Sequence, residues 1–180
     1  MSKILILKCS PRRNGNSDIL ADSFIKGATE AGHEIITFNI GNMKINPCLA
    51  CYQCFKTDKP CIQNDDMQSI YPEFVSADAI VIAAPVYYFS FPSQYKCFID
   101  RVLPYDVEGT MPTGRKAALL MTAGDNETMF EAAITEFKKV YGEWFESNIK
   151  GIITVPNVDT KGAIKDNPKL EEAYNLGKAI

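Results

Sequence analysis

The sequence has no apolar run long enough to cross a membrane, and its opening MSKILILK offers only four consecutive apolar residues before Lys8, too few for a signal-peptide core. A cytoplasmic protein without membrane contact is the expectation. Positive charge is scarce as well: 19 Lys and Arg stand against 22 Asp and Glu, for a formal net charge of −3. Such a chain is poorly equipped to neutralise a nucleic-acid backbone, so nucleic acid is not expected as a partner. There is one histidine, His33, which excludes His-rich metal sites; following Ala31-Gly32, it suits the surface of a helix-to-strand turn. Also missing are the G-K-[ST] of a Walker loop, the G-x-G-x-x-G dinucleotide fingerprint and the G-x-S-x-G nucleophile elbow. No repeat, low-complexity tract or linker interrupts the 180 residues, so one domain over 1–180 is expected.

What is present is an ordinary globular composition, 46% hydrophobic and 23% charged, in a regular alternation of elements. Lys3–Lys8 reads as a buried strand. Asp18 to about Ala31 reads as a helix with Ile19, Leu20, Phe24, Ile25 and Ala28 on one side, closed by Gly32. Glu34–Ile40 follows as a strand, and the long polar stretch 41–66 as a loop of the kind that is usually functional in a compact domain. Beyond it come a helix over Met67–Ser76, a strand over Ala79–Ala84 (AIVIAA), a helix over Ser93–Val102 and a strand over Ala117–Thr122. A long helix from Glu127 to about Phe145, a strand over Ile149–Val155 and a helix over Pro168–Ile180 complete the chain. Unbroken apolar strands favour a parallel sheet covered on both faces. The class is therefore α/β: a doubly wound five-stranded parallel sheet in the order 2-1-3-4-5, helices on both faces, with its ligand site at the carboxyl ends of strands 1 and 3.

Three loops meet that edge. After strand 1 comes Cys9-Ser10-Pro11-Arg12-Arg13-Asn14-Gly15-Asn16-Ser17, opening onto a helix. A helix N-terminus offers unpaired N–H groups and partial positive charge, and hydroxyl, amide and guanidinium groups around it can cradle a single phosphate monoester. The plainer alternative is that Asn16 or Ser17 caps the helix and the arginines are solvated. After strand 3 the segment Pro85-Val86-Tyr87-Tyr88-Phe89-Ser90-Phe91 can lie along a flat ring, or else serve as core or dimer contact. Strand 4 ends in Thr122-Ala123-Gly124, a further polar turn on the same edge. Together the loops describe a pocket for a phosphorylated planar heterocycle.

The six cysteines fall at 9, 48, 51, 54, 61 and 97. Cys48, Cys51 and Cys54 stand in consecutive C-x-x-C steps, with Cys61 a short loop away. Such spacing can close a Cys-only site; reduced thiols packing a loop are an equal alternative, with structural zinc well behind. Cys97 reads as a small buried hydrophobe.

The SPRRNGNS loop, the APVYYFSFPSQYKCFIDR segment, the LLMTAG strand end and the Cys-rich loop closing on Asn64-Asp65-Asp66-Met67 resemble the NADPH-dependent FMN reductase family of flavodoxin-like proteins, especially its iron-sulfur flavoprotein branch. The resemblance implies FMN as cofactor and NAD(P)H as electron donor, with the phosphate held by Ser10, Arg12, Asn16 and Ser17 and with Asn14 in the same loop. It also implies that Pro85, Val86, Tyr87, Tyr88 and Phe89 flank the isoalloxazine, that Thr122, Ala123 and Gly124 border it, and that Cys48, Cys51, Cys54 and Cys61 are similar to the ligands of a [4Fe-4S] cluster. Cys9 stands where the family often has Gly. The activity implied is transfer from NAD(P)H to a quinone, flavin, other small acceptor or iron-sulfur centre, in a homodimer or higher homo-oligomer. The rival reading is a flavodoxin-type carrier serving redox protein partners, and a third is a sensor whose cysteines respond to oxygen or metal.

Overall fold

The computed structural model describes residues 1–56 and 60–180. Five strands, β1 (Lys3–Lys8), β2 (Glu34–Phe38), β3 (Ala79–Pro85), β4 (Lys116–Thr122) and β5 (Asn148–Val155), form one sheet in the order β2-β1-β3-β4-β5, every pairing parallel. The register sets Leu5 beside Ile80 and Ile80 beside Ala117. Because successive strand residues face opposite ways, two cores result. Leu5, Leu7, Ile80, Ile82, Leu119 and Met121 enter one; Ile4, Ile6, Val81, Ala83, Leu120 and Val155 enter the other.

The first core is covered by α2 (Met67–Ser76), α3 (Ser93–Ile99), α4 (Leu103–Val107) and α5 (Glu131–Phe137), the second by α1 (Asn16–Glu30) and α6 (Lys169–Ala179). Helices α1 and α6 touch through glycines: a Cβ at Gly27 would lie 2.0 Å from the Tyr174 carbonyl oxygen, and one at Gly177 would lie 2.1 Å from that of Phe24. This contact brings the chain between β5 and α6 over the start of α1. No helix of the described residues is long and apolar enough to cross a membrane.

The strand order agrees with the sequence reading, and some boundaries differ. Strand β2 stops at Phe38, and Ile40–Asn42 forms a 3-10 turn. The expected helix over 93–102 ends at Ile99, and α4 begins afresh with Pro104 in its first turn, where a missing N–H costs nothing. The expected helix over 127–145 is a 3-10 turn (Glu127–Phe130), then α5, then a π-helical continuation over Lys138–Trp144. Cys97 is only part-buried. His33 sits at its turn as expected, its Nδ1 accepting from the Ser2 N–H at 3.1 Å.

Candidate functional site

The chain leaves β1 held by the Cys9 N–H donating to the Ala83 carbonyl at 2.8 Å. Cys9 itself is fully buried in the core, its thiol donating to Leu7 O at 3.5 Å, and burial pushes that thiol's pKa up. The loop then turns on Ser10, whose Oγ accepts from the Arg12 N–H at 3.1 Å. At the N-cap of α1 stands Gly15, where a Cβ would come within 2.9 Å of the Arg12 carbonyl oxygen; no side chain caps the helix. Asp18 stands in the first turn, and its carboxyl is raised above its usual value, burial outweighing the pull of nearby Lys8. Asn16 and Ser17, the first residues of the helix, have N–H groups with no acceptor within it.

These residues line one cleft of about 210 Å³ together with the ends of three other strands: Ser10, Arg12, Gly15, Asn16 and Ser17 from the β1 side, Pro85, Val86 and Tyr87 after β3, Thr122, Ala123 and Gly124 after β4, and Val158 and Asp159 after β5. The strand ends are tied to one another. The Val86 N–H donates to Thr122 O at 2.8 Å, that of Ala123 to Val155 O at 3.0 Å and that of Val158 to Ala123 O at 2.9 Å. Arg12 Nη1 donates to the Asp159 carbonyl at 3.3 Å and so reaches across the mouth.

Ten of the thirteen candidate residues thus share the cleft, and three do not. Asn14, at φ 53°, lines a polar groove behind the loop with Lys8, Arg13, Asp18, Asn39 and Asn42. Tyr88 and Phe89 occupy the middle of a tight turn in which Tyr87 and Ser90 exchange backbone hydrogen bonds of 2.9 and 3.1 Å. Both have positive φ, 47° and 66°, the backbone of a type I′ turn that ordinarily selects Asn or Gly. Tyr88 is 96% exposed, and Phe89 lines a shallow groove along α5.

Asn16 lines the cleft, but its side chain is committed elsewhere. Its Nδ2 donates to the carbonyls of Val158 and Thr160 at 2.7 and 2.9 Å, and its Oδ1 accepts from the Gly162 and Ile164 N–H groups at 2.9 and 3.4 Å. It fastens the β5–α6 loop to the N-terminal end of α1. That loop supplies Val158 and Asp159, the cleft residues the sequence reading missed. The available signal was topological, since a strand added at the β4 edge ends on the same side as the others.

The cysteine loop lies beside the first core. Cys48 and Cys51 are exposed, and Cys54 and Cys61 part-buried. The Ala50 N–H points to Cys48 Sγ at 3.4 Å. Burial pushes the Cys54 thiol up, and the neighbouring Cys61, Cys48 and Cys51 add to the shift, so the four share one electrostatic neighbourhood. Among the described residues no group of three or more His, Cys, Asp or Glu side chains could hold a metal ion. The loop is clasped at its ends: Asp65 accepts from the Asn46 N–H at 2.9 Å and from the Met67 N–H at 3.2 Å, and pairs with Arg101 at 2.5 Å. These bonds and the Arg101 charge hold the Asp65 carboxyl below its ordinary value despite its burial.

The iron-sulfur flavoprotein of Methanosarcina thermophila is 30% identical over 174 residues, 97% of this chain and 87% of that one. One from Archaeoglobus fulgidus is 35% identical over 115 residues, 64% of this chain and 52% of that one. The match spans about half the length of several such relatives. Among solved structures, an azoreductase from Bacillus anthracis superposes with a TM-score of 0.77 at 18% identity over the whole of both chains. An NAD(P)H:quinone oxidoreductase from Methanothermobacter marburgensis does so with a TM-score of 0.72 at 18% identity, over 98% of this chain and 94% of that one. Those likenesses establish the shared fold. The sequence model of the NADPH-dependent FMN reductases matches residues 2–155, and the chain belongs to that family.

Proposed function

We propose that this chain, acting as one FMN-binding unit, is an oxidoreductase that takes hydride from NAD(P)H and passes electrons to a small acceptor such as a quinone or a flavin. The observation that carries the reading is the convergence of the α1 N-terminus, Ser10, Ser17 and Arg12 with the ends of β3 and β4 on one cleft. The donor set suits a phosphate monoester: unpaired N–H groups at a helix start, two hydroxyls, and a Gly15 position that a Cβ would crowd. The cleft volume, about 210 Å³, is below the usual range for a whole drug-sized ligand, so it suits a phosphate and its polyol arm with a ring lying over the Pro85–Tyr87 edge.

FMN, when bound, supplies the chemistry of hydride acceptance and electron release. The chain supplies position. Arg12 screens the phosphate charge, Asn16 holds the β5–α6 wall in place, and the Val86–Thr122 hydrogen bond keeps the two ring-side loops in register. Tyr88 and Phe89 stand exposed beside the α5 groove, and we assign that face to a homodimer contact. Extraction should yield FMN and not FAD. Anaerobic NADPH alone should bleach the bound flavin within seconds. Bleaching only after a partner reductase is added would instead identify an electron carrier.

A second reading concerns the cysteines. We propose that Cys48, Cys51, Cys54 and Cys61 hold a [4Fe-4S] cluster that receives electrons from the flavin site. Supporting it are the C-x-x-C-x-x-C spacing, the shared electrostatic neighbourhood of the four thiols and the N–H aimed at Cys48 Sγ. A single tetrahedral ion needs its sulfurs about 4 Å apart, a convergence the described residues lack. A cluster spreads its four ligands over separate irons and tolerates wider spacing. After anaerobic reconstitution, iron and sulfide should approach about four per chain. Alanine at any of the four positions should lower both, and Cys97→Ala should not.

A further inference from the structure

The cleft carries one charge of each sign: among its described lining residues Arg12 is the cation and Asp159 the acid. A phosphate accounts for the first and not for the second, because a carboxylate beside a phosphate repels it. Asp159 is nevertheless held firmly in place. The Asn16 amide donates to the carbonyls of both its neighbours, Val158 at 2.7 Å and Thr160 at 2.9 Å. The Val158 N–H donates to Ala123 O at 2.9 Å and the Asn157 N–H to Asp125 O at 3.0 Å, so the segment is also fastened to the end of β4.

Asp159 reaches both poles of the cleft. Its backbone carbonyl accepts from Arg12 Nη1 at 3.3 Å, on the side of the α1 N-terminus. Its side chain lies over Gly124, on the side of the β3 and β4 ends: a Cβ at Gly124 would stand 3.2 Å from Asp159 Cβ and 3.3 Å from its Oδ1. Among the described residues the carboxylate itself has no hydrogen-bond or ion-pair partner, the residue's own bond being made through the backbone. A fixed acceptor with no donor thus stands between the phosphate end and the ring end.

FMN joins its phosphate to its ring through a polyol whose hydroxyls are donors in need of acceptors. The other lining side chains serve them poorly. Arg12 only donates, and the Asn16 oxygen is already taken by the Gly162 and Ile164 N–H groups. We propose that Asp159 reads the polyol: its carboxylate accepts a hydrogen bond from a hydroxyl of the chain between phosphate and ring. The inference rests on the FMN reading above. A hydroxyl-to-carboxylate bond is charge-assisted and does not depend on the phosphate, so Asp159 favours any flavin that carries the polyol. For FMN itself the gain is partly offset by repulsion from the phosphate.

The test titrates the apoproteins of wild type, Asp159→Ala and Asp159→Asn with FMN, with riboflavin, which has the polyol and no phosphate, and with lumiflavin, which has neither. Flavin fluorescence gives each dissociation constant. Asp159→Ala should weaken riboflavin by about 5- to 30-fold, the lower part of the range for a charge-assisted bond because Asp159 is exposed. FMN should weaken by less, and lumiflavin should not change. Asp159→Asn keeps one acceptor oxygen without the charge and should weaken riboflavin by about 2- to 5-fold; it serves alone if the alanine variant does not fold. Wild type that binds no FMN overturns the cofactor reading, and this inference falls with it. With FMN bound by wild type, three results overturn the inference alone. They are riboflavin affinity unchanged by the substitutions, an equal loss for lumiflavin, and wild type that binds no riboflavin, since the polyol would then gain nothing from the cleft. Tighter FMN with unchanged riboflavin would show a carboxylate that only repels the phosphate.

Discussion

A single methyl group placed outside the cleft should loosen the cofactor. Gly41 sits in the turn after β2, and a Cβ there would lie 2.0 Å from the carbonyl oxygen of Ser10, 2.2 Å from its carbonyl carbon and 2.8 Å from Pro11 N. Gly41 is not in the left-handed region, so alanine meets no conformational penalty and the conflict is purely steric. Non-bonded contacts relax only beyond about 3 Å, so one backbone must retreat by roughly 1 Å. Ile40 is buried in the core, and the turn is closed by Asn42 N–H to Asn39 O at 2.9 Å. Opposite it, Pro11 to Asn14 are exposed, so the Ser10 loop is the part that yields. Overpacking of this kind costs about 1–3 kcal/mol. If the cost falls on the cradle, the FMN dissociation constant rises by about 5- to 150-fold. Fluorescence titration of apoprotein with FMN measures it. Gly142→Ala is the control, since its Cβ would meet only the flexible end of Ile149 at 3.2 Å, and it should leave affinity unchanged. A Gly41→Ala protein that is less stable yet binds FMN as wild type does would refute the reasoning, because the turn would have moved instead of the loop.

The other predictions concern the same loop and helix start. Arg12→Ala should weaken FMN binding by about 1–2 kcal/mol, the lower part of the range for a charge-assisted hydrogen bond because Arg12 is exposed; unchanged affinity in the same titration would show it merely solvated. Asn16→Ala removes four hydrogen bonds to the β5–α6 loop. It should cost about 2–4 kcal/mol in urea denaturation, and a loss below about 1 kcal/mol would mean that the loop is held by other contacts. Burial raises the Asp18 carboxyl above its ordinary 3.8, so the folded chain binds this proton more tightly than the unfolded one. Relative to Asp18→Asn, wild type is then favoured at low pH and loses that advantage as pH rises through the raised folded value. Denaturation curves from about pH 4 to about pH 7 should show the variant gaining on wild type, and a constant difference would contradict the shift.

The sheet was legible because strands buried on both faces read as unbroken apolar runs, as in AIVIAA, and because five such runs alternate with helical periods. The helix after β4 was legible as a helix but not in its winding. Phe137, Tyr141 and Phe145 recur every four residues, and all three are buried in the first core. At 3.6 residues per turn that spacing drifts by about 40° a step, which would carry the third ring off the core face. The underwound stretch over Lys138–Trp144 removes the drift, and Phe145 N–H donates to Val140 O at 2.9 Å in the wider pattern. The recurrence was present in the sequence. What resolves it is the depth of the core, which local pattern does not report.

The aromatic loop shows the same boundary between pattern and packing. Four aromatics within residues 87–91 mark it as unusual, but composition does not say which of them meet the cleft. The backbone decides. Val86 is fixed by its bond to Thr122 O, Ser90 by its exchange with Tyr87 and by its Oγ at 3.2 Å from Glu136 Oε2, and Phe91 by stacking on Tyr95 with ring centroids 4.1 Å apart. With both ends pinned, two residues remain to reverse the chain, and a type I′ turn is the two-residue solution that suits the twist of paired strands. Tyr88 and Phe89 therefore take positive φ against the preference of their side chains, a strain of about 1–2 kcal/mol each. Strain of that size persists only where the surroundings over-determine it. Here they do, and the result keeps Tyr87 at the cleft while leaving Tyr88 and Phe89 outside it.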